Sequence, residues 1–288
     1  MQQEVVGAGG LLSGRFRGMA SEEFCRDVVS PGGYRTAAGV RKSLGDRLFG
    51  WSDLWYYIKL FKVVWNSSRI GKRGGYTQEA WLDESFSVVR VVEQCGGTVA
   101  IDGFMNAATV DGPVVYVANH MSLLETFLLP CAMLTKDFLC IVLKTSLMEY
   151  PVFREVLRAI RPIGVARKNP RDDLKTVMKE GLEAIKQGRS MLVFPQSTRM
   201  PGLNVSEFNS LGCKLAERSG VPLVPVALCT NFMRTGRLIK DFGRIDRQQP
   251  VRFAYGEPLD AVADSKAAHA ASVEFISGKM KEWGLVVG

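Results

Sequence analysis

The run Asn119-His120-Met121-Ser122-Leu123-Leu124-Glu125 holds one of only two histidines in the chain and places a carboxylate five residues beyond it. An imidazole titrates near neutral pH, so it can take the proton of an attacking hydroxyl. A carboxylate on its other nitrogen orients and supports the ring. The run follows the apolar stretch Val114-Val115-Tyr116-Val117-Ala118, which reads as a buried strand, and α/β enzymes place their sites beyond strand ends. The same residues also spell a capping box, with Ser122 as N-cap and Glu125 at the third helical position. A cap of this kind would start a helix and hold the acid near His120, so both readings stand.

Two further stretches carry polar chemistry. Phe194-Pro195-Gln196-Ser197-Thr198-Arg199 follows the apolar run that starts at Met191 and offers an amide, two hydroxyls and a guanidinium on one loop. Arg grips a phosphate bidentately, which suits an anionic acceptor. Arg161-Pro162-Ile163-Gly164-Val165-Ala166-Arg167-Lys168 is a short strand ending in cations, and Lys144 stands after the run Leu139–Leu143. Three cations at three strand ends could converge on one phosphate. Each taken singly reads as a surface charge.

The elements that must position these groups are legible from periodicity. Short apolar runs suited to buried strands lie at 98–101, 114–118, 139–143, 162–166, 191–194, 222–228 and 251–255,. A helix is expected from Asn169 as N-cap, through Pro170, to Gly188, and another from about Ser265 to Trp283,. The alternation predicts an α/β fold with a mixed, largely parallel sheet flanked by helices.

Ahead of it, residues 48–65 carry Trp51, Leu54, Trp55, Ile58, Phe61 and Trp65 at helical spacing, with basic residues at both ends. Such aromatic loading suits a membrane surface, although a helix packed on the domain explains the stripe too. Gly74-Gly75 breaks the chain, and a second amphipathic helix follows over about Gln78 to Glu93,. The expected organisation is a loosely ordered lead-in over 1–45, a membrane-associating helical hairpin over 46–95, and the main domain over 96–288.

The composition limits the alternatives. A formal charge of +8 asks for an anionic partner: a phosphate-bearing ligand, an anionic membrane surface or nucleic acid,. There is no helix-turn-helix pattern, zinc spacing or ribonucleoprotein aromatic motif to support the last. The six cysteines are scattered among apolar neighbours and read as reduced core residues, and no metal site or bound cofactor is expected,. Neither a secretory signal nor a spanning helix is expected. No G-x-S-x-G elbow marks a serine hydrolase.

Four stretches in order resemble the motifs of the 1-acylglycerol-3-phosphate acyltransferase family. Asn119-His120-x-Ser122-x-x-Glu125 resembles the first, Ile163-Gly164-Val165-Ala166-Arg167 the second, and Phe194-Pro195-x-x-Thr198-Arg199 the third. Val221-Pro222-Leu223-Val224-Pro225-Val226-Ala227 resembles the fourth. Phe208, Gly212, Leu215, Ala216 and Gly256-Glu257-Pro258 also fit.

The resemblance implies transfer of a fatty acyl group from acyl-CoA or acyl-carrier protein to the hydroxyl of a lysophospholipid, with His120 as general base and Glu125 as its orienter. Arg167 and Arg199, with Lys144, would hold the acceptor phosphate. Asn119, Ser122, Gln196, Ser197 and Thr198 fall in the substrate-binding motifs, and Val224-Pro225-Val226 would line the acyl site. The enzyme would work as a peripheral or monotopic protein on the cytoplasmic face of a membrane.

Two departures stand out. Glu125 replaces the usual Asp, and Gln196-Ser197 replace Glu-Gly in the acceptor loop. The second bears on acceptor identity: lysophosphatidate, another lysophospholipid or an amino-acid lyso-lipid. A lipid-binding protein of this fold without turnover is the alternative from another class.

Overall fold

All seven apolar runs that read as strands are strands in the computed structural model, which describes residues 19–150, 153–196, 198–236 and 240–288. In chain order the elements are α1 (Met19–Val28), β1 (Tyr34–Arg35), α2 (Leu44–Phe49), α3 (Asp53–Lys72), α4 (Gln78–Gln94), β2 (Val99–Asp102), α5 (Phe104–Ala108) and β3 (Val115–Ala118). After these come α6 (Leu124–Leu128), α7 (Pro130–Met133), β4 (Phe138–Lys144), α8 (Arg154–Ile160), β5 (Ile163–Val165), α9 (Pro170–Lys186) and β6 (Arg189–Val193). The chain closes with α10 (Leu211–Ser219), β7 (Leu223–Cys229), β8 (Val251–Tyr255) and α11 (Ser265–Glu282).

The strands form one sheet in the order β1-β2-β8-β7-β3-β6-β4-β5. Only the β1–β2 and β7–β8 pairs are antiparallel, so the sheet is mixed and largely parallel. Side chains alternate between its faces with the period of two that a pleated strand imposes. On one face Tyr116 and Ala118 of β3 and Val224, Val226 and Leu228 of β7 share a core with Tyr56, Trp81, Val88, Leu124 and Leu128. On the other, Val115, Val117, Leu223 and Ala227 meet Val177, Ile185, Leu215 and Ile276. The backbone of α10 rests directly on β3: a Cβ at Gly212 would lie 2.2 Å from Val117 Cγ1, so glycine is required there.

Two expectations are corrected. Residues 19–45 are not a loose lead-in, because Phe24, Cys25, Val28 and Tyr34 are buried in the first core and Tyr34–Arg35 adds an eighth strand to the sheet edge. Residues 1–18 lie outside the described residues. The α3–α4 pair is no separate unit either, since Tyr56, Leu60, Trp81 and Val92 bury in the same core as the strands.

The single stripe read on 48–65 also divides. Tyr56, Leu60 and Val64 turn inward, whereas Leu54, Ile58, Phe61 and Trp65, at spacings of four, three and four, are about half exposed or more, at 69%, 48%, 56% and 49%. A short helix, α2, precedes the break at Gly50. It is capped by the Ser43–Asp46 box and tied to α3 through Lys59, whose Nζ reaches Asp46 Oδ1 at 2.6 Å. Among the described residues no helix is long and apolar enough to cross a membrane.

Candidate active site

His120 sits just beyond β3, at the end of the parallel strands where their carboxyl termini gather, with its side chain mostly buried. Its Nδ1 lies 2.6 Å from Glu125 Oε2. The other oxygen of that carboxylate, Oε1, accepts from the backbone N–H of Met121 at 2.8 Å, the N–H of Ser122 at 2.8 Å and the hydroxyl of Thr230 at 2.5 Å. Three protein donors converge on one oxygen of this fully buried acid. With the acid ionised, the ring nitrogen facing it carries the hydrogen and Nε2 is left with a free lone pair, the form a general base needs. The extra methylene of Glu over Asp lets one oxygen reach the ring while the other reaches back to the turn.

The capping box expected at Ser122 forms by half. Glu125 does accept from the Ser122 N–H, but the helix starts one residue later, and Ser122 Oγ accepts from Leu124 N at 3.2 Å rather than from Glu125 N. Its hydroxyl hydrogen is directed instead to Thr230 Oγ1 at 3.0 Å. A relay Ser122–Thr230–Glu125 results, and α4 steadies the helix behind it through Ser85 Oγ, which donates to the carbonyls of Phe127 and Leu128.

Neighbouring elements hold the imidazole from other sides. The ring stacks on Phe194 at 4.3 Å between centroids and 24° between planes. Gln196 is 2% exposed, and its Oε1 accepts from the His120 N–H at 3.2 Å, while Met200 N donates to His120 O at 2.9 Å. Gln196 is thus spent on the base's backbone and not offered to an acceptor. Asn119 is fully buried, donating to Leu228 O and accepting from Leu228 N, so it ties β3 to β7 and has no free group for substrate.

The expected cations lie along one edge of the sheet. Arg199 follows β6, next to β3; Lys144 ends β4, the strand beyond; Arg167 follows β5, three strands and about 14 Å from β3 at the usual strand spacing,. Lys144 and Arg167 are exposed, and Arg167 adopts a left-handed backbone at φ 55°. Arg199 is paired with Asp241 at 2.6 Å. Thr198 is exposed on the same loop, and Ser197 lies outside the described residues.

Pro225 is corrected as a substrate-lining residue. It is buried within β7, and its ring lies beside Gly256, which Phe275 of α11 also approaches. Val224 and Val226 are fully buried core residues on the opposite face.

Two residues of the site are not singled out by sequence reasoning. Thr230 is the first polar residue after the apolar run Leu223–Cys229, a strand-end position like that of His120. Asp241 has no local signal, since its partner is forty-two residues away. The second histidine, His269, is remote from this network, near Cys213 and Phe208. Among the described residues no cluster of three His, Cys, Asp or Glu side chains could hold a metal.

Comparison with known proteins fits this geometry. Residues 99–229, a little under half of the chain, match the acyltransferase family model. The chain is 36% identical over 152 residues to the 1-acyl-sn-glycerol-3-phosphate acyltransferase of Pseudomonas aeruginosa, covering 53% of this chain and 56% of that one. It is 30% identical over 139 residues to the chloroplastic 1-acyl-sn-glycerol-3-phosphate acyltransferase BAT2 of Brassica napus, covering 48% and 38%. The matches therefore span about half or less of these relatives. The crystal structure of the 1-acyl-sn-glycerophosphate acyltransferase from Thermotoga maritima superposes with a TM-score of 0.60 at 20% identity, over 81% of this chain and 94% of that one, and shares the fold.

Proposed function

We propose that this protein is an O-acyltransferase that moves a fatty acyl group from acyl-CoA or acyl-carrier protein to the free hydroxyl of a lysophospholipid, with 1-acylglycerol-3-phosphate as acceptor and phosphatidate as product. The observation that carries the proposal is the His120–Glu125 pair, its Oε1 saturated by three protein donors and its ring stacked on Phe194. His120 Nε2 takes the hydroxyl proton as the alkoxide oxygen attacks the thioester carbonyl. The C–O bond forms, the C–S bond breaks, and the proton passes to the leaving thiolate. No acyl-enzyme is required and no bound cofactor takes part.

Glu125 keeps Nδ1 protonated and supports the imidazolium that forms; Thr230, Ser122 and Gln196 act by positioning. Of the three expected cations, Arg199 is nearest in strand order to the base, and it binds the acceptor phosphate in exchange for Asp241. Lys144 and Arg167 stand further along the edge to extend that anionic subsite.

The acceptor and product are lipids, so the enzyme meets them at a membrane. The exposed row Leu54, Ile58, Phe61 and Trp65, with Trp51 at 75% exposure, is the face proposed to enter the headgroup layer,. In the cell the protein is a peripheral or monotopic enzyme on the cytoplasmic side.

The test is thiol release from acyl-CoA, and then from acyl-carrier protein, on vesicles carrying a panel of lyso-lipids. Release with lysophosphatidate above all other acceptors supports the proposal. Absence of release with every acceptor and both donors refutes it.

A further inference from the structure

Between β7 and β8 the chain leaves the sheet after Thr230 and returns at Val251, with Met233 and Ile245 bridged antiparallel on the way. The returning arm lies along the start of α3. Ile245 N–H donates to Asp53 Oδ2 at 3.1 Å, Arg247 Nη1 to Asp53 Oδ1 at 2.8 Å, and the Tyr57 hydroxyl to Gly243 O at 2.6 Å. Here the arm borders an open cleft of about 330 Å³ lined by Arg234, Arg244, Ile245, Asp246, Arg247 and Gln248. None of the motif residues lines it.

Its charge is unbalanced. Of its three guanidinium groups, Arg234 is paired with Asp246 at 2.7 Å and Arg247 with Asp53 at 2.8 Å, which leaves Arg244 in excess. Arg247 uses Nε on the carbonyls of Gly50 and Cys95 and Nη1 on Asp53, but its Nη2 is buried without a hydrogen-bond partner. Arg244 is exposed, and its side chain makes no hydrogen bond or ion pair among the described residues. Unspent guanidinium donors around a small cleft match the oxygens of a phosphate. A cleft of this size is large enough to take a phosphate headgroup.

Position selects the source of that phosphate. Asp53 and Tyr57, which hold the arm, each precede by one residue a member of the exposed apolar row, Leu54 and Ile58. Phe242, 60% exposed, packs edge-on to Tyr57 at 5.3 Å and extends that row onto the arm. Guanidinium groups thus stand beside rings that would enter a bilayer, at the level where lipid phosphates lie.

We infer that the cleft lined by Arg234, Arg244 and Arg247 binds the phosphate of an anionic phospholipid in the membrane that α3 enters, at a site separate from that of the acceptor. The inference rests on the membrane-surface reading of α3 given above.

The test is co-sedimentation of the full chain with phosphatidylcholine vesicles, with and without phosphatidylglycerol, which is neither acceptor nor product of the proposed reaction. Arg244→Gln removes a side chain with no structural bond, so the fold is kept. The expected result is about a fivefold loss of the extra binding that phosphatidylglycerol confers, near the value of one cation at a charged surface. A larger loss is expected in Arg234→Gln/Arg244→Gln, with binding to phosphatidylcholine alone unchanged.

Lys281→Gln, on α11, is the control for diffuse charge. An equal loss in that variant, or full phosphatidylglycerol preference in both arginine variants, overturns the inference. Titration with inorganic phosphate covers the other source: tight binding that Arg244→Gln abolishes, without change in vesicle partition, overturns the lipid assignment. Replacing Trp51, Phe61 and Trp65 by Ser separates the premise from the inference. If that variant still binds both vesicle types, the membrane-surface reading fails. If it loses both while Arg244→Gln keeps its preference for phosphatidylglycerol, only the cleft assignment fails.

Discussion

At the end of β3 each oxygen of the Glu125 carboxylate has its donors from within the chain, whereas along the outer face of α3 a row of large apolar side chains lies open. The first region is centred on the fully buried Glu125 and drawn from the β3 turn and the β7 end, and nothing external is needed to assemble it. The second is continuous with the core through Tyr56, Leu60 and Val64 on its inner face, and its outer face is complete only against an apolar partner,. On the proposed function, the contrast separates reactivity, which the chain would carry by itself, from access to substrate, which it would share with a membrane surface.

Breaking the first region costs most. Glu125→Ala removes the ring's support and leaves two backbone N–H groups and the Thr230 hydroxyl buried without an acceptor. A loss on the order of 10³-fold in kcat is expected, with a drop of a few kcal/mol in stability, checked by initial rates and thermal melting. Breaking the second region is expected to cost on the order of 100-fold in vesicle partition when Trp51, Phe61 and Trp65 become Ser, while turnover of a short-chain acceptor free in solution stays near wild type. A matching loss on the soluble acceptor would show that the row supports the site and not the surface.

A smaller effect sharpens the first region. Thr230→Val removes one charge-assisted bond to Glu125 and keeps the shape, so kcat should fall about tenfold with KM unchanged,. Steady-state kinetics on that variant distinguish positioning of the base from acceptor binding.

The smallest expected effect concerns the inner end of the hairpin. Burial pushes the Glu84 carboxyl up to about 7, against hydrogen bonds from Tyr76 and Ser67 that pull it down. Its folded value lies above its unfolded one, so the folded state binds the extra proton. Stability from this group is present at pH values below the ordinary carboxylate range and is lost as pH rises toward about 7,. Glu84→Gln should therefore raise the melting temperature by several degrees at pH 8 and change it little at pH 4.

The contrast between the regions also explains what could be read from the chain in advance. The seven apolar strands declare themselves because most of their residues are buried, and β3 and β7 throughout, so hydrophobicity runs on over their length,. β1 does not, since Tyr34–Arg35 is a strand only by pairing with Ile101 and Ala100. His120 and Glu125 are legible because they are close in sequence and their chemistry is short-range. Thr230 is not, because it reaches Glu125 through the β3–β7 pairing, where Asn119 is fastened to Leu228. Gln196 is visible in the sequence, but its role is not: its side chain bonds to the backbone of His120, seventy-six residues away. The stripe on α3 reads as one apolar face, and only packing divides it into an inner and an outer row.

The most direct measurement is the initial rate of thiol release from acyl-CoA on vesicles carrying lysophosphatidate, for the wild-type protein and for His120→Ala. His120 lies at the end of a buried network and its removal leaves the four bonds of the β3–β7 clamp and the carboxylate turn in place. The expected result is a folded variant, equal to wild type in vesicle binding, with release lowered on the order of 10²- to 10⁴-fold or more. Release undiminished in His120→Ala would contradict the assignment of this histidine as the base.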